Sequence, residues 1–197
     1  MISVSKNPGP SAWNDLLPKR EPLPSLSGNL KSDWLIVGAG FAGLSAARRV
    51  QQEAPNDSIV ILDAQGLASG PAGRNSGFMI DLPHDLASDD YGGQIENDRE
   101  TITQNRYAIN FAKETVEALQ LPKECFKEIG KINGAATAKG MRHNHDYAKH
   151  LSKLGEKYEY LDANSMKDIT GTNYYIGGLF TPGTVMIQPA LYIRALG

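Results

Sequence analysis

The sequence predicts an α/β fold with a parallel sheet, and three observations carry that prediction. Two apolar runs, Asp33 to Val37 and Ser58 to Leu62, flank a stretch of helix formers from Ala42 to Glu53. The first run ends on a glycine-rich corner, Gly38, Ala39, Gly40, Phe41, Ala42 and Gly43. The second ends on an acid, Asp63, which lies 20 residues beyond Gly43. Strand, helix and strand in about 30 residues make a βαβ unit, whose crossover is right-handed and whose strands run parallel.

The first element is an arm. Residues 1 to 30 hold Pro8, Pro10, Pro18, Pro22 and Pro24, which rigidify an extended path. We expect an irregular lead-in, anchored on the body by Trp13 and Leu16. Asp33 to Val37 then reads as a buried strand, and Pro55, Asn56 and Asp57 form a turn before the second strand. Gly66 to Asp90 lacks periodicity and reads as a long loop, a feature more often functional than idle.

Asp98 to Gln120 has the apolar side of a helix, with Ile102, Tyr107 or Ala108, Phe111, Val116 and Leu119 on it and Pro122 beyond its end. Phe126 to Ala138 looks β-rich, Met141 to Leu154 helical with a stop at Gly155, and Tyr158 to Leu161 extended. Asn164 to Ile169 suggests a short helix, and Tyr174 to Thr181 a strand.

Composition excludes more than it selects. The chain has 197 residues, 41% hydrophobic and 21% charged, enough for one core or two small ones. A net charge of -2 with interspersed signs supplies no basic stripe for nucleic acid. The single cysteine, Cys125, forms no internal disulfide, so a reducing cytoplasm is expected. Met1 to Pro10 has neither a basic region followed by an apolar core nor a small-residue cleavage site, so a secretory signal is not expected. The most apolar stretch, Trp34 to Ala47, falls short of the roughly 20 residues of a membrane span.

The corner carries the chemistry. Gly38 makes the tight turn, Gly40 lets the backbone reach a pyrophosphate, and Gly43 allows helix and strand to pack closely, with Ala47 facing the sheet. The helix N-terminus faces the anion with free N–H groups and about half a positive charge. Asp63 is placed to accept hydrogen bonds from a ribose hydroxyl pair. The pattern defines a Rossmann-like dinucleotide-binding domain, without choosing the dinucleotide.

Further segments resemble the D-amino-acid oxidase-like family of FAD-dependent oxidoreductases, in particular its gamma-glutamylputrescine oxidoreductase-like branch. They are the arm with Trp13, Asn14, Leu16, Leu17 and Pro18, the run DWLIVGAGFAGLSAARR, the loop ASGPAGRNSGF from Ala68 to Phe78, and GGLFTPGTVMIQPALYIRAL from Gly177 to Leu196. The resemblance implies an FAD-binding domain over 31–122 (first part), a β-rich α+β substrate domain over 123–188 (first part), and a return helix beginning at 189–197. It implies cofactor contacts from Gly38, Gly40, Phe41, Ala42, Gly43, Asp63 and Ala64, and from Ser69, Gly73, Arg74, Asn75, Ser76 and Gly77. The glycine-rich loop has no histidine near Arg74 for covalent attachment, so FAD is expected to be noncovalent.

The implied reaction is oxidation of a C–N bond in an amine or amino acid, with hydride passing to the flavin and an imine as product. No catalytic acid or base is nominated. Members of the family are about twice this length, so the chain is expected to be an N-terminal half, completed by a second polypeptide or left as a fragment. The alternatives are a truncated FAD-binding module without activity and an NAD-dependent dehydrogenase.

Three other signals are set aside. His143, His145 and His150 do not assemble a metal site, because His143 and His145 point about 200° apart on a helix. His84, with Asp81 and Asp85, follows the loop and reads as a satisfied loop histidine. One of Tyr174 and Tyr175 could face a pocket, with packing the plainer role.

Overall fold

The computed structural model describes residues 9, 11–21, 23–83 and 95–197; His84 and Asp85 lie outside the described residues. The chain divides into two compact units. The first comprises residues 1–77, 119–125 and 187–197, and the second 78–118 and 126–186. The units therefore interleave along the chain and do not follow the cuts at 122/123 and 188/189 drawn from the sequence.

The first unit begins with a four-residue helix, α1 (Ala12–Asp15), whose N-cap Ser11 accepts a hydrogen bond from the Asn14 N–H. Strand β1 (Trp34–Val37), helix α2 (Phe41–Glu53) and strand β2 (Ile59–Leu62) follow. The strands pair in parallel, Trp34 opposite Ile59 through Val37 opposite Leu62. This is the predicted βαβ unit. After Gln188, the helix α6 (Pro189–Leu196) is capped by the Gln188 side chain, which accepts from the Leu191 N–H, with Pro189 pre-set for the first turn. Ala39, Leu44, Ala68, Ala190 and Ile193 form the core, with Trp13, Leu17, Phe41 and Ile61 packed against it.

Two expectations for this unit are corrected. Trp13 anchors the arm, but Leu16 is 74% exposed and Leu17 takes its place in the core. Both leucines lie in the turn that follows α1, where Leu16 is the C-cap and Leu17 packs against the core. Strand β1 is not buried: Leu35 is 59% and Val37 81% exposed. It hydrogen-bonds to β2 on one edge only.

The second unit holds β3 (Phe78–Met79), α3 (Ile95–Ala118), β4 (Phe126–Glu128), β5 (Lys131–Ala135), α4 (Ala138–Leu154), β6 (Glu159–Asp162), α5 (Ala163–Thr170), β7 (Gly177–Thr181) and β8 (Val185–Ile187). Two three-stranded sheets form, ordered β3-β8-β4 and β5-β7-β6. In the latter both pairings are antiparallel. The helix ends are set by local chemistry. Thr137 caps α4 and Asp162 caps α5, while Gly155 and Gly171 end them at φ +78° and +73°. The core gathers Leu82, Ile102, Tyr147, Leu151 and Leu179.

Candidate cofactor site

The three corner glycines are glycines for different reasons. Gly38 has φ +104°, a conformation that side chains rarely adopt, and its N–H donates to the Leu62 carbonyl at 2.7 Å. A Cβ on Gly43 would lie 1.9 Å from the Gly38 carbonyl oxygen and 3.2 Å from Ile36 Cγ2, so only glycine lets α2 press on β1. Gly40 has neither constraint. Its φ is -91°, and an added Cβ would meet only Ala72 Cβ, at an ordinary 3.7 Å.

Gly40 lies in the wall of a cleft of about 380 Å³. Facing each other across it are the corner with Asp63 and the stretch Gly66, Ala68, Gly70, Pro71 and Ala72. As N-cap, Gly40 offers α2 no side-chain acceptor. The Leu44 N–H is the first to bond back to the Gly40 carbonyl at 3.0 Å, so the N–H groups of the first turn have no acceptor within the helix. They leave the positive end of the helix dipole open to an anion of phosphate size.

Asp63 turns back toward this corner. One carboxylate oxygen accepts the Ala39 N–H at 2.7 Å and the other the Gln65 N–H at 2.8 Å. A carboxylate has about four lone-pair sites, which leaves room for ribose hydroxyls at this exposed position. Gly38, Gly40, Phe41, Ala42, Gly43 and Asp63 thus come together in one wall, while Ala64 follows Asp63 outside it.

The remaining expected residues lie just beyond the cleft and hold the loop in shape. Gly73 is buried, and a Cβ there would lie 2.0 Å from the Ala68 carbonyl oxygen. Gly77 has φ +80°, with the Ile187 carbonyl oxygen 2.4 Å from where its Cβ would be. The Arg74 guanidinium donates to the Ser69 carbonyl at 2.7 Å and to the Gly9 carbonyl. Asn75 donates to the Ala72 carbonyl at 2.8 Å and accepts from the Gly77 N–H, also at 2.8 Å. Ser76 is exposed.

Sequence reasoning missed the strap that fixes this loop. The Ser11 hydroxyl donates to the Gly73 carbonyl, the Trp13 indole N–H to Asn75 and the Asn14 amide to Ala68, each at 2.8 Å. The Gln188 amide in turn donates to the Trp13 carbonyl at 2.9 Å. Only Trp13 was a legible anchor, since polar side chains sixty residues from their acceptors leave no periodic trace. It also passed over the cleft wall at Ala39, Ala68, Gly70, Pro71 and Ala72. Ala68 sits there at φ +60°, a left-handed position that costs an alanine about 1 kcal/mol.

Elsewhere, His145 Nδ1 lies 3.0 Å from the Tyr160 hydroxyl, and His150 Nε2 lies 2.6 Å from Asp98 Oδ2. Among the described residues no group of three or more His, Cys, Asp or Glu could hold a metal ion. Tyr174 and Tyr175 precede β7 rather than lying in it; Tyr174 is exposed and the Tyr175 ring packs over Gly134. Cys125 is buried, which pushes its thiol up to about 11. No helix among the described residues is long and apolar enough to cross a membrane.

Strand, glycine corner, helix and acid define a dinucleotide-binding α/β protein. Residues 33–197 match the model of the FAD dependent oxidoreductase family, and the chain belongs to that family. It is 24% identical over 202 residues to a probable oxidoreductase, OrdL, of Rhizobium meliloti, covering 96% of this chain and 44% of the relative. It is 25% identical over 175 residues to the gamma-glutamylputrescine oxidoreductase of Escherichia coli, covering 87% and 40%. Its fold is similar to that of glycine oxidase from Geobacillus kaustophilus, with a TM-score of 0.66 at 17% identity, over 84% of this chain and 43% of that one. The chain therefore spans less than half the length of each of these relatives.

Proposed function

We propose that this chain supplies the FAD-holding part of an oxidoreductase acting on the C–N bond of an amine or amino acid. The observation that carries the proposal is Gly40. Among the described residues nothing requires glycine there, so the glycine is explained by a guest whose diphosphate comes within contact distance of the backbone. Bound FAD would supply the redox chemistry, accepting hydride from the carbon that bears the nitrogen.

The chain's own groups do the holding. Gly38, Gly40, Phe41, Ala42 and Gly43 would receive the diphosphate at the start of α2, and Asp63 would take the ribose hydroxyls. Gly66, Ala68, Gly70, Pro71 and Ala72 form the second side of the cofactor's path, with Ala64 at its rim, and Ser69, Gly73, Arg74, Asn75, Ser76 and Gly77 continue that path beyond the cleft. On this reading FAD is held noncovalently, since the loop has no histidine near Arg74 to carry a covalent flavin. The second unit begins the substrate-handling part of the fold. The single, unpaired cysteine supports a cytoplasmic location.

The test is reconstitution of the purified protein with FAD. A yellow protein that keeps flavin through gel filtration and releases it intact on denaturation is the expected result. Asp63→Asn should weaken FAD by about tenfold or more, because a hydrogen bond to a charged acceptor is worth about 1.5 to 3 kcal/mol. A colourless protein, or one that retains NAD in preference, would retire the reading. Flavin bleaching by an amine or amino acid without oxygen would identify the substrate.

A further inference from the structure

Within the second unit, Lys131 carries a charge that its surroundings do not answer. Its Nζ is shut off from water and meets no hydrogen-bond acceptor among the described residues. The Tyr147 ring lies beside it, with its centroid 5.7 Å away. Burial holds the Lys131 amine below the ordinary lysine range, and Asp81 opposes this only through its charge, from beyond hydrogen-bond reach. The Asp81 carboxylate is itself buried and already held by the Arg106 guanidinium at 3.0 Å. Buried cations are normally paired, because their lost hydration otherwise goes uncompensated.

The same lysine lines a cavity of about 920 Å³, walled by residues 78–82, by β5 and by the first turns of α4. Lys139 and His143, four residues apart on one face of α4, line it too, and among the described residues no acid does. Asn144, only 3% exposed, is fixed in the wall by the hydrogen bond its amide donates to the Asn133 carbonyl at 2.8 Å. Two lysines and an imidazole without an opposing carboxylate give the cavity a positive potential, which low-dielectric walls concentrate. The rest of the wall is apolar. Phe78 and Ile80 are 45% and 41% exposed, and Leu82 and Ile132 line the space with them. Sites for small organic molecules occupy about 300 to 1,000 Å³ and combine such apolar walls with a few polar groups.

We propose that this cavity binds a small organic acid, its carboxylate paired with Lys139 and His143 in the field of Lys131 and its carbon body laid against Phe78 and Ile80. An inorganic anion would leave the apolar wall wet, and an amine without a carboxylate would meet like charge. Every residue involved belongs to the second unit, so the proposal goes beyond the cofactor reading and does not depend on it.

Calorimetric titration of the full-length protein with 4-phenylbutyrate tests this, with 4-phenylbutylamine as the matched cation and inorganic phosphate as the anion without a carbon body. The acid should bind at least about tenfold more tightly than either, because juxtaposed like charges and an uncovered apolar wall both weaken the alternatives. Lys139→Gln, at an exposed position, should weaken the acid about tenfold by removing a charge-assisted hydrogen bond. Lys131→Met should weaken it at least about fivefold through the lost field, and neither variant should weaken the amine. Methionine keeps the length of the stem and removes an unpaired charge, so the melting temperature should hold. Should Lys131→Met nonetheless fail to fold, Lys139→Gln decides alone.

Acid binding no tighter than that of the amine, phosphate binding equal to that of the acid, or full acid affinity in either folded lysine variant each overturns the proposal. Where a substrate bleaches the flavin, 4-phenylbutyrate that raises its KM at unchanged kcat identifies the bound carboxylate as the substrate's own. An unchanged KM identifies the acid as a separate ligand of the same site. Flavin retained by a protein that does not bind the acid retires this proposal alone, and acid bound by a colourless protein retires the cofactor reading alone.

Discussion

The two glycine-rich segments of the first unit, the corner at 38–43 and the loop at 66–77, look alike in sequence and differ in physics. In the loop, Gly73 and Gly77 are glycines because the protein's own backbone leaves no space, with the Ala68 and Ile187 carbonyls 2.0 Å and 2.4 Å from the sites of their missing Cβ atoms. The corner has one glycine of that kind, Gly43, one fixed by backbone conformation, Gly38, and one, Gly40, that the protein itself does not need. Glycines required by packing report on the fold. A glycine with no such requirement, in the wall of a cleft, reports on a ligand.

The comparison breaks most visibly at the packing glycines. Gly43→Ala should cost at least about 3 kcal/mol, at the upper end for overpacking, because both α2 and β1 are fixed by neighbours and cannot part cheaply. Gly77→Ala should be of similar size, since it adds left-handed strain to the clash. Urea unfolding measures both, and a loss under about 0.5 kcal/mol at either position would show that the close contacts relax.

Gly40→Ala sharpens the contrast. Its φ of -91° is open to alanine, and replacing the N-cap should cost about 1 kcal/mol or less. FAD affinity should fall by at least about tenfold, because the methyl group enters the space into which the diphosphate fits. Titration of the apoprotein with FAD, beside a melt of the same sample, separates the two effects. Equal losses in both would remove the argument that a guest explains this residue.

What was legible in the sequence follows the range of the forces involved. Helix α2 and the strands around it were visible because glycine conformation, apolar periodicity and the acid at the end of β2 act within thirty residues. The end of α4 was visible through Gly155, while its start at Ala138 lies three residues ahead of the expected Met141, and α5 was read as the short helix it is. The described part of α3 begins at Ile95, already helical ahead of the expected Asp98, and its end was placed two residues late, where Gln120 adopts φ +50°. Helix α1 was hidden by the prolines around it, since a single turn has no period to read. The exposure of β1 could not be read at all: apolar residues state what a strand requires of its neighbours, not whether those neighbours are present. Likewise Arg74 carried no mark of the two backbone carbonyls it holds, one of them 65 residues away.

Arg74 supplies the smallest and most discriminating test. Its guanidinium spans the Ser69 and Gly9 carbonyls, a fork that the single ammonium of lysine cannot reproduce. If the side chain acts as a strap for the loop, Arg74→Lys should cost about 1 kcal/mol of stability and shift FAD affinity less than about threefold. If it also touches the cofactor, the affinity should fall tenfold or more while the melt moves no further. The first outcome makes the loop a scaffold whose shape, held by Ser11, Trp13 and Asn14 from the other side, is its contribution to binding. The second gives the loop a charge of its own in the site, and the contrast with the corner, where binding rests on backbone N–H groups and space, becomes one of chemistry as well as of packing.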